Sequence, residues 1–406
     1  MPTIYPIHVA RTLALEAQGL ARSTSAKTPD DLFTTIEKIG CVQIDTLQMV
    51  RRSQYVLLWS RVGNYNPDDL DTLLSEDRRL FEYWYHAACL IPLTRYRYLL
   101  PRMRAQREKP FSYIRGWLAQ DDNQKVMAQV LDYVRENGAV RVSDFEHPKR
   151  TASGWWDWKP TKIALEVLYN QGDLMIAGRV KFQRIYDLTE RVLPDWVDAS
   201  EPSVDEANIH LLEHAAKAFG ICDPDRIGEY ANINRTTARP LVRQLLAAGI
   251  LVSVQAELAH ELVVHRDNLS LLEPIADGEI SASHTTFLTP FDNLLWAKDR
   301  IELFWNFEPR IEAYTPEPKR RWGYFCLPIL HRGRLIGRFD PKLERKTGTL
   351  RLKALHLEPG IEPDEAMIAD VADAMRDFLL FHDAGTLIIE KSNPPIFGEK
   401  LLAAMG

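Results

Sequence analysis

The triplet Gln43-Ile44-Asp45 is the part of this 406-residue chain best suited to chemistry. In an extended segment, residues i and i+2 project to the same side, so Gln43 and Asp45 would be presented together. A carboxylate beside an amide can hold and polarise one water, or stabilise a cationic sugar while a base departs. The same residues have a structural use. Asp45 followed by Gln48 is a capping-box pattern for a helix opening at Thr46. The two roles are compatible, because a capping carboxylate is rigidly aimed. Glu82-Tyr83-Trp84-Tyr85-His86 sets an imidazole in an aromatic hairpin, where a lone histidine serves packing or acts as acid, base or DNA contact. Gly154-Trp155-Trp156-Asp157-Trp158-Lys159-Pro160 gathers three tryptophans before a helix, suited to packing or to a stacking wedge. Thr289-Pro290-Phe291-Asp292 and Arg338-Phe339-Asp340 read as polar turns.

Composition narrows the classes. Hydrophobic residues are 46% and charged residues 26%, which excludes disorder and collagen-like structure. No apolar run approaches the roughly 18 residues of a membrane span, and no apolar signal core opens the chain. The early bases Arg11, Arg22 and Lys27 weakly suggest a transit peptide, but Ile7 to Leu20 reads better as a structural helix. Cys41, Cys89, Cys222 and Cys326 lie far apart without metal-ligand or redox spacing, so a reducing cytoplasm, no disulfide, no metal and no cofactor are expected. Net charge is −6, which argues mildly against nucleic acid as partner. A local stripe argues the other way: seven bases and one acid lie between Arg95 and Arg115, interleaved with Tyr96, Tyr98, Phe111 and Tyr113. It reads as a solvated helix face or as a surface that tracks a phosphate backbone.

Elements that would position these residues repeat along the chain. A helical pattern over Val126–Arg135, a short strand at Val140–Val142 and a helix over Ile163–Asn170 precede two strands, Leu174–Ala177 and Phe182–Leu188, with a basic turn Gly178–Lys181 between them. Helices over Val204–Phe219, Pro224–Tyr230 and Asn234–Ala248, the last containing Pro240, precede strands Ile250–Val254 and Glu261–His265. Helix, helix, helix and two-stranded wing is the order of a winged helix, in which the third helix enters a groove and the hairpin touches the backbone. Many such modules serve only as protein adaptors. The first copy, with Lys159 and Lys162 at its helix start and Lys181 and Arg184 on its wing, is the better suited to phosphate. A third module is expected in the N-terminal part, from a helix over Asp30–Ile39, a strand over Cys41–Ile44, a helix over Thr46–Ser60 exposing Arg51, and a hairpin over Leu80–Leu93. Beyond Ser283 the pattern turns β-rich, with one helix over Pro363–Phe381 and a basic hairpin carrying Arg334 and Arg338. The expected modules are residues 1–120, 121–200, 201–282 and 283–406.

In order along the chain, several strings resemble the YcaQ/AlkX family of bacterial DNA glycosylases, relatives of AlkZ. They are Ala17-Gln18-Gly19-Leu20, Val42-Gln43-Ile44-Asp45-Thr46, Ser60-Arg61-Val62-Gly63-Asn64-Tyr65, Glu82-Tyr83-Trp84-Tyr85-His86, Asp144-Phe145-Glu146-His147-Pro148, Ser153-Gly154-Trp155-Trp156-Asp157-Trp158-Lys159-Pro160, Pro318-Lys319-Arg320 and Leu330-His331-Arg332-Gly333. The resemblance implies a mixed α and β fold: three tandem winged helices and a β-rich domain curved around a basic channel for duplex DNA. It implies a monofunctional, cofactor-free glycosylase that cleaves the N-glycosidic bond of N7-alkylguanines and unhooks interstrand crosslinks, acting as a cytoplasmic monomer on damaged double-stranded DNA. Its Gln-apolar-Asp motif falls on Gln43 and Asp45, where AlkZ-like relatives carry Gln-apolar-Gln. Tyr83 and His86 would border the cleft. Arg51, Lys159, Lys162, Lys181, Arg184, Arg334 and Arg338 are the expected DNA contacts. A non-catalytic winged-helix transcriptional regulator is the alternative, and Asp45 separates the two readings.

Overall fold

The computed structural model describes residues 4–26, 28–145, 158–258 and 261–406. Residues 154–157 of the tryptophan-rich string lie outside the described residues, as do the side chains of Trp158 and Lys159. The chain is mixed α and β and divides into two compact units, one of residues 1–67, 85–89 and 211–406, the other of residues 68–84 and 90–210.

In the first unit, the helix Ile7–Ala17 buries Val9, Ala10, Leu13, Ala14 and Leu15 against the helix Lys298–Trp305 and a four-stranded sheet. That sheet runs in the order Ile4–Tyr5, Leu251–Ala256, Leu262–His265, Ile221–Cys222. The helix Pro29–Ile39 starts at a Thr28/Asp31 capping box and stops at Gly40, whose φ of +85° suits the left-handed cap. The helix expected from Thr46 begins only at Ser53 and runs to Val62. Two pulls explain the delay. The Asp45 carboxylate takes the Leu47 N–H at 2.7 Å, and the Met49 carbonyl accepts from Leu343 N at 2.8 Å, drawing residues 46–52 out along the β-rich part.

That β-rich part is a sheet ordered Thr285–Phe287, Leu327–His331, Arg334–Glu344, Thr349–Leu357, Thr386–Ile389, antiparallel until the last pair, which is parallel. Pro341 lies inside the long strand Arg334–Glu344, where the register shifts between Asp340 and Pro341; a residue without an N–H is accommodated at such an irregularity. The helix Glu365–Phe381 covers the sheet with Met367, Val371, Met375 and Phe378, and Val50, Val56 and Trp59 join the same core.

In the second unit, the helices Asp121–Asn137 and Trp158–Asn170 precede a hairpin of Leu174–Val180 and Gln183–Leu188, and Val140 bridges to Tyr186. The hairpin turns at Lys181 and Phe182, not at Gly178–Lys181. Both residues have positive φ, 48° and 70°, as a tight two-residue turn requires, and Gly178 stays within the strand. The basic stretch beyond Arg95 is neither a free stripe nor a purely solvated face. Arg97 pairs with Asp198 at 3.2 Å, Arg107 with Asp173 at 2.8 Å and Arg104 with Glu201, while Arg95 is buried.

Candidate active site

Gln43 closes the short strand Val42–Gln43 and is buried, and three anchors in the first unit hold its segment. The Cys41 carbonyl accepts from Asn293 Nδ2 at 2.9 Å, Ile44 N donates to the Ala88 carbonyl at 2.8 Å, and Asp45 is tied to Leu47. The expected capping box is absent: the carboxylate closes a turn onto Leu47 rather than a helix. Asp45 is thereby aimed as firmly as a cap would aim it. Partial burial raises its pKa above the ordinary carboxylate value, with the Leu47 N–H opposing.

Asn293 is itself held by a buried polar network. Arg61 and Asp292, 1% and 0% exposed, form a two-pronged ion pair at 2.7 and 2.9 Å. Arg61 also donates to the carbonyls of Gln18 and Leu57, both at 2.9 Å, and to the Gln18 side-chain oxygen at 3.1 Å. The Tyr230 hydroxyl donates to the Ile39 carbonyl at 2.6 Å and accepts from Asn293 at 2.9 Å and Gln18 at 3.2 Å. Both carbonyls that flank Gly40 are therefore fixed immediately before Gln43.

Gln43 and His86 line one cavity of about 240 Å³, together with Ala87, Pro290, Phe291, Leu295, Trp296, Lys298, Pro309 and Ile311. Asp45 is not among the lining residues. His86 Nδ1 lies 2.9 Å from the Glu229 carbonyl, which can only accept, so Nδ1 carries the proton. Burial lowers the His86 pKa, and the ring is therefore neutral near pH 7, with Nε2 an acceptor. The ring stacks on Trp296 at 4.2 Å and 6°, and Trp296 is held by its indole N–H on the Phe291 carbonyl at 3.1 Å. An amide, a neutral imidazole and an apolar wall thus surround a space large enough for waters and part of a base.

Other expected contacts have different roles. Tyr83, in the second unit, is 2% exposed, donates its hydroxyl to the Asn170 carbonyl at 2.6 Å and packs edge-on against Tyr169. It is a packing residue there. Arg184 and Arg179 both bind the fully buried Glu82, at 2.6 and 2.8 Å, so this hairpin arginine neutralises an interior charge rather than waiting for phosphate. Arg338 is 2% exposed, pairs with Glu358 at 2.6 Å and lies between Phe307 and Trp322, which removes it from any DNA surface. Arg51 donates to the Phe381 carbonyl at 2.6 Å and pairs with Asp383 at 2.8 Å. Lys162, Lys181 and Arg334 are exposed. The turn reading of Asp292 stands, since it accepts from Leu294 N, but Arg338-Phe339-Asp340 lies inside the strand Arg334–Glu344, where Asp340 accepts from the backbone of Tyr324 and Phe325.

The family described as DNA glycosylase AlkZ-like matches residues 36–379. The chain belongs to the AlkZ-like DNA glycosylase family. Streptomyces sahachiroi DNA glycosylase AlkZ has a similar fold, with a TM-score of 0.64 at 14% identity, covering 96% of this chain and 100% of that one. The AlkZ-like chain is therefore an enzyme of DNA repair whose substrate is DNA, and the regulator reading falls. Among the described residues no helix is long and apolar enough to cross a membrane.

Residue types and spacing single out Gln43, Asp45 and His86, but they gave no role to Gln18, Arg61, Tyr230, Asn293, Trp296 or Lys298. Gln18 and Arg61 stand inside strings that carry the resemblance, and that was their only signal.

Proposed function

We propose that this AlkZ-like protein is a monofunctional glycosylase for N7-alkylguanine, including guanines tethered across the duplex. Alkylation at N7 makes guanine cationic, so the base departs without a strong general acid. The sugar left behind resembles the oxocarbenium-like transition state of glycoside hydrolysis. Asp45 stabilises that charge and takes a proton from the attacking water, which Gln43 orients. One carboxylate suffices, because the leaving group needs no second acid. The observation that carries the reading is the triple anchoring of the Gln43–Asp45 segment beside the cavity that Gln43 and His86 line. A general base must be held in near-attack geometry to be effective, and the three anchors restrict the freedom of this segment.

The modules of residues 121–200 and 201–282 are winged helices in this reading, with residues 1–120 a third, and Lys162, Lys181 and Arg334 contact phosphate. Tyr83 and His86 divide in role, His86 bordering the reacting base and Tyr83 supporting its own unit. The protein acts as a cytoplasmic monomer. A crosslinked base cannot be swallowed by a closed pocket as most glycosylases do, and the tethered substrate calls for an open cleft.

The test is base release from three duplexes, unmodified, carrying N7-methylguanine, and carrying an N7-tethered guanine–guanine crosslink, with chelator present. Abasic sites in the second and third alone support the proposal. Release from neither damaged duplex refutes it. Release from the monoadduct alone removes the crosslink part.

A further inference from the structure

Two guanidiniums without counter-ions among the described residues share a second recess of the first unit. It measures about 240 Å³ and is lined by Arg11, Trp305, Asn306, Arg334 and Glu358, among others. Arg11, half-buried on the helix Ile7–Ala17, uses Nε on the Phe304 carbonyl, and among the described residues its two terminal nitrogens have no protein partner. The Arg334 side chain is exposed and makes no hydrogen bond or ion pair among the described residues. Its hairpin is nevertheless stiff. Arg332 and Gly333 have φ of 43° and 84°, the pattern of a tight two-residue turn, and the Trp305 indole N–H donates to the Gly333 carbonyl at 2.9 Å. Arg332 is occupied by Asp370 at 2.6 Å. The one carboxylate in the recess, Glu358, is already balanced, since its Oε1 accepts from Arg338 at 2.9 and 2.6 Å. Burial and the nearby Arg334 charge both lower the Arg11 pKa, the repulsion that a bound anion would relieve.

We propose that this recess is a phosphate site in which Arg11 and Arg334 together hold one backbone phosphodiester of duplex DNA. The inference rests on the glycosylase reading and adds a register to it. The helix Lys298–Trp305 starts at the Gln43 cavity and ends at this recess. Its seven rises of about 1.5 Å span roughly 10 Å. With that span laid along the duplex axis, at about 3.4 Å of rise per nucleotide, the held phosphate lies on the order of three nucleotides from the reacting base. The spacing is fixed, because buried Arg300 ties the helix to the Phe219 and Ile221 carbonyls at 2.6 and 3.0 Å. Two planar forks facing one tetrahedral anion give position as well as affinity.

The experiment compares the full-length wild type with Arg334→Gln, both checked by thermal melting, for binding to a lesion-bearing duplex between 50 and 200 mM salt. Losing one phosphate contact lowers the log–log salt slope by about 0.9, so over this range the wild type should lose roughly 3.5-fold more affinity than the variant. A single uncharged methylphosphonate, walked along the strand, should weaken the wild type most about three nucleotides from the lesion and leave Arg334→Gln little affected there. Equal slopes from two folded proteins would overturn the site. So would calorimetric binding of inorganic phosphate that is lost in Arg334→Gln while the duplex slope is unchanged, since the recess would then serve a free anion. A wild type that binds no duplex would instead refute the glycosylase reading, and the wild-type arm alone reveals it.

Discussion

Replacing Asp292 by Asn should be among the most damaging conservative changes in the protein. The carboxylate is 0% exposed, accepts two hydrogen bonds from Arg61 at 2.7 and 2.9 Å and a third from Leu294 N at 2.9 Å. The amide keeps the shape but withdraws the charge, and it turns an N–H₂ toward one prong of the guanidinium. Arg61, 1% exposed, is left as an uncompensated interior cation. Breaking one partner of such a pair costs about 3–5 kcal/mol, a large share of the 5–15 kcal/mol by which domains are typically stable. Urea unfolding followed by far-UV circular dichroism should show that loss as a lower midpoint. The pair Asp292→Leu with Arg61→Met removes both charges and should be less destabilised than the sum of its single changes by more than 1 kcal/mol. A consequence for chemistry follows from the sequence itself, since Asn293, the next residue, holds the Cys41 carbonyl. Asp292→Asn assayed below its melting range should also release base more slowly. A variant within about 1 kcal/mol of wild type would refute the reasoning.

Asn293→Ala removes the amide that holds Cys41 and Tyr230, so single-turnover base release should fall at least tenfold while duplex affinity changes little; an unchanged rate would show that the anchor is idle. Glu82→Gln should lower the melting temperature of the second unit, at a cost of about 3 kcal/mol, because Arg179 and Arg184 lose a shared buried counter-charge; calorimetry measures it. Burial lowers the pKa of His86, His284, His331, His356 and His382, the last to about 3. Below the unfolded histidine value of about 6.5 the unfolded chain binds more protons than the folded one, so stability should fall as pH drops from about 7 toward 3. Unfolding midpoints across that range test the sign, and a midpoint that rises on acidification would contradict it.

Legibility in the sequence followed the range of the interactions. The helix Val204–Phe219 and the Asn234 cap, whose side chain accepts from Thr237 N at 3.0 Å, are local and could be read directly. Gln43 and Asp45 stood out because an amide and a carboxylate at i and i+2 project to one side of an extended segment. The start of the helix after Asp45 could not be read, since the Met49–Leu343 hydrogen bond joins residues nearly 300 positions apart. The same holds for Arg61 and Asp292, separated by 231 positions. Arg184 and Arg338 looked like surface cations because their counter-charges, Glu82 and Glu358, come from other elements. A base in a sequence carries no mark of the acid that will bury it.

The central claim is that Asp45 performs the chemistry. Wild type and Asp45→Asn should be compared on duplex DNA carrying one N7-methylguanine, with chelator present and binding measured alongside. Asparagine can still accept from Leu47 N, so the turn, the fold and the duplex affinity should persist. The account predicts abasic sites from wild type and essentially none from Asp45→Asn at equal occupancy. Comparable base release by both proteins would contradict it and place the catalytic centre elsewhere in the enzyme.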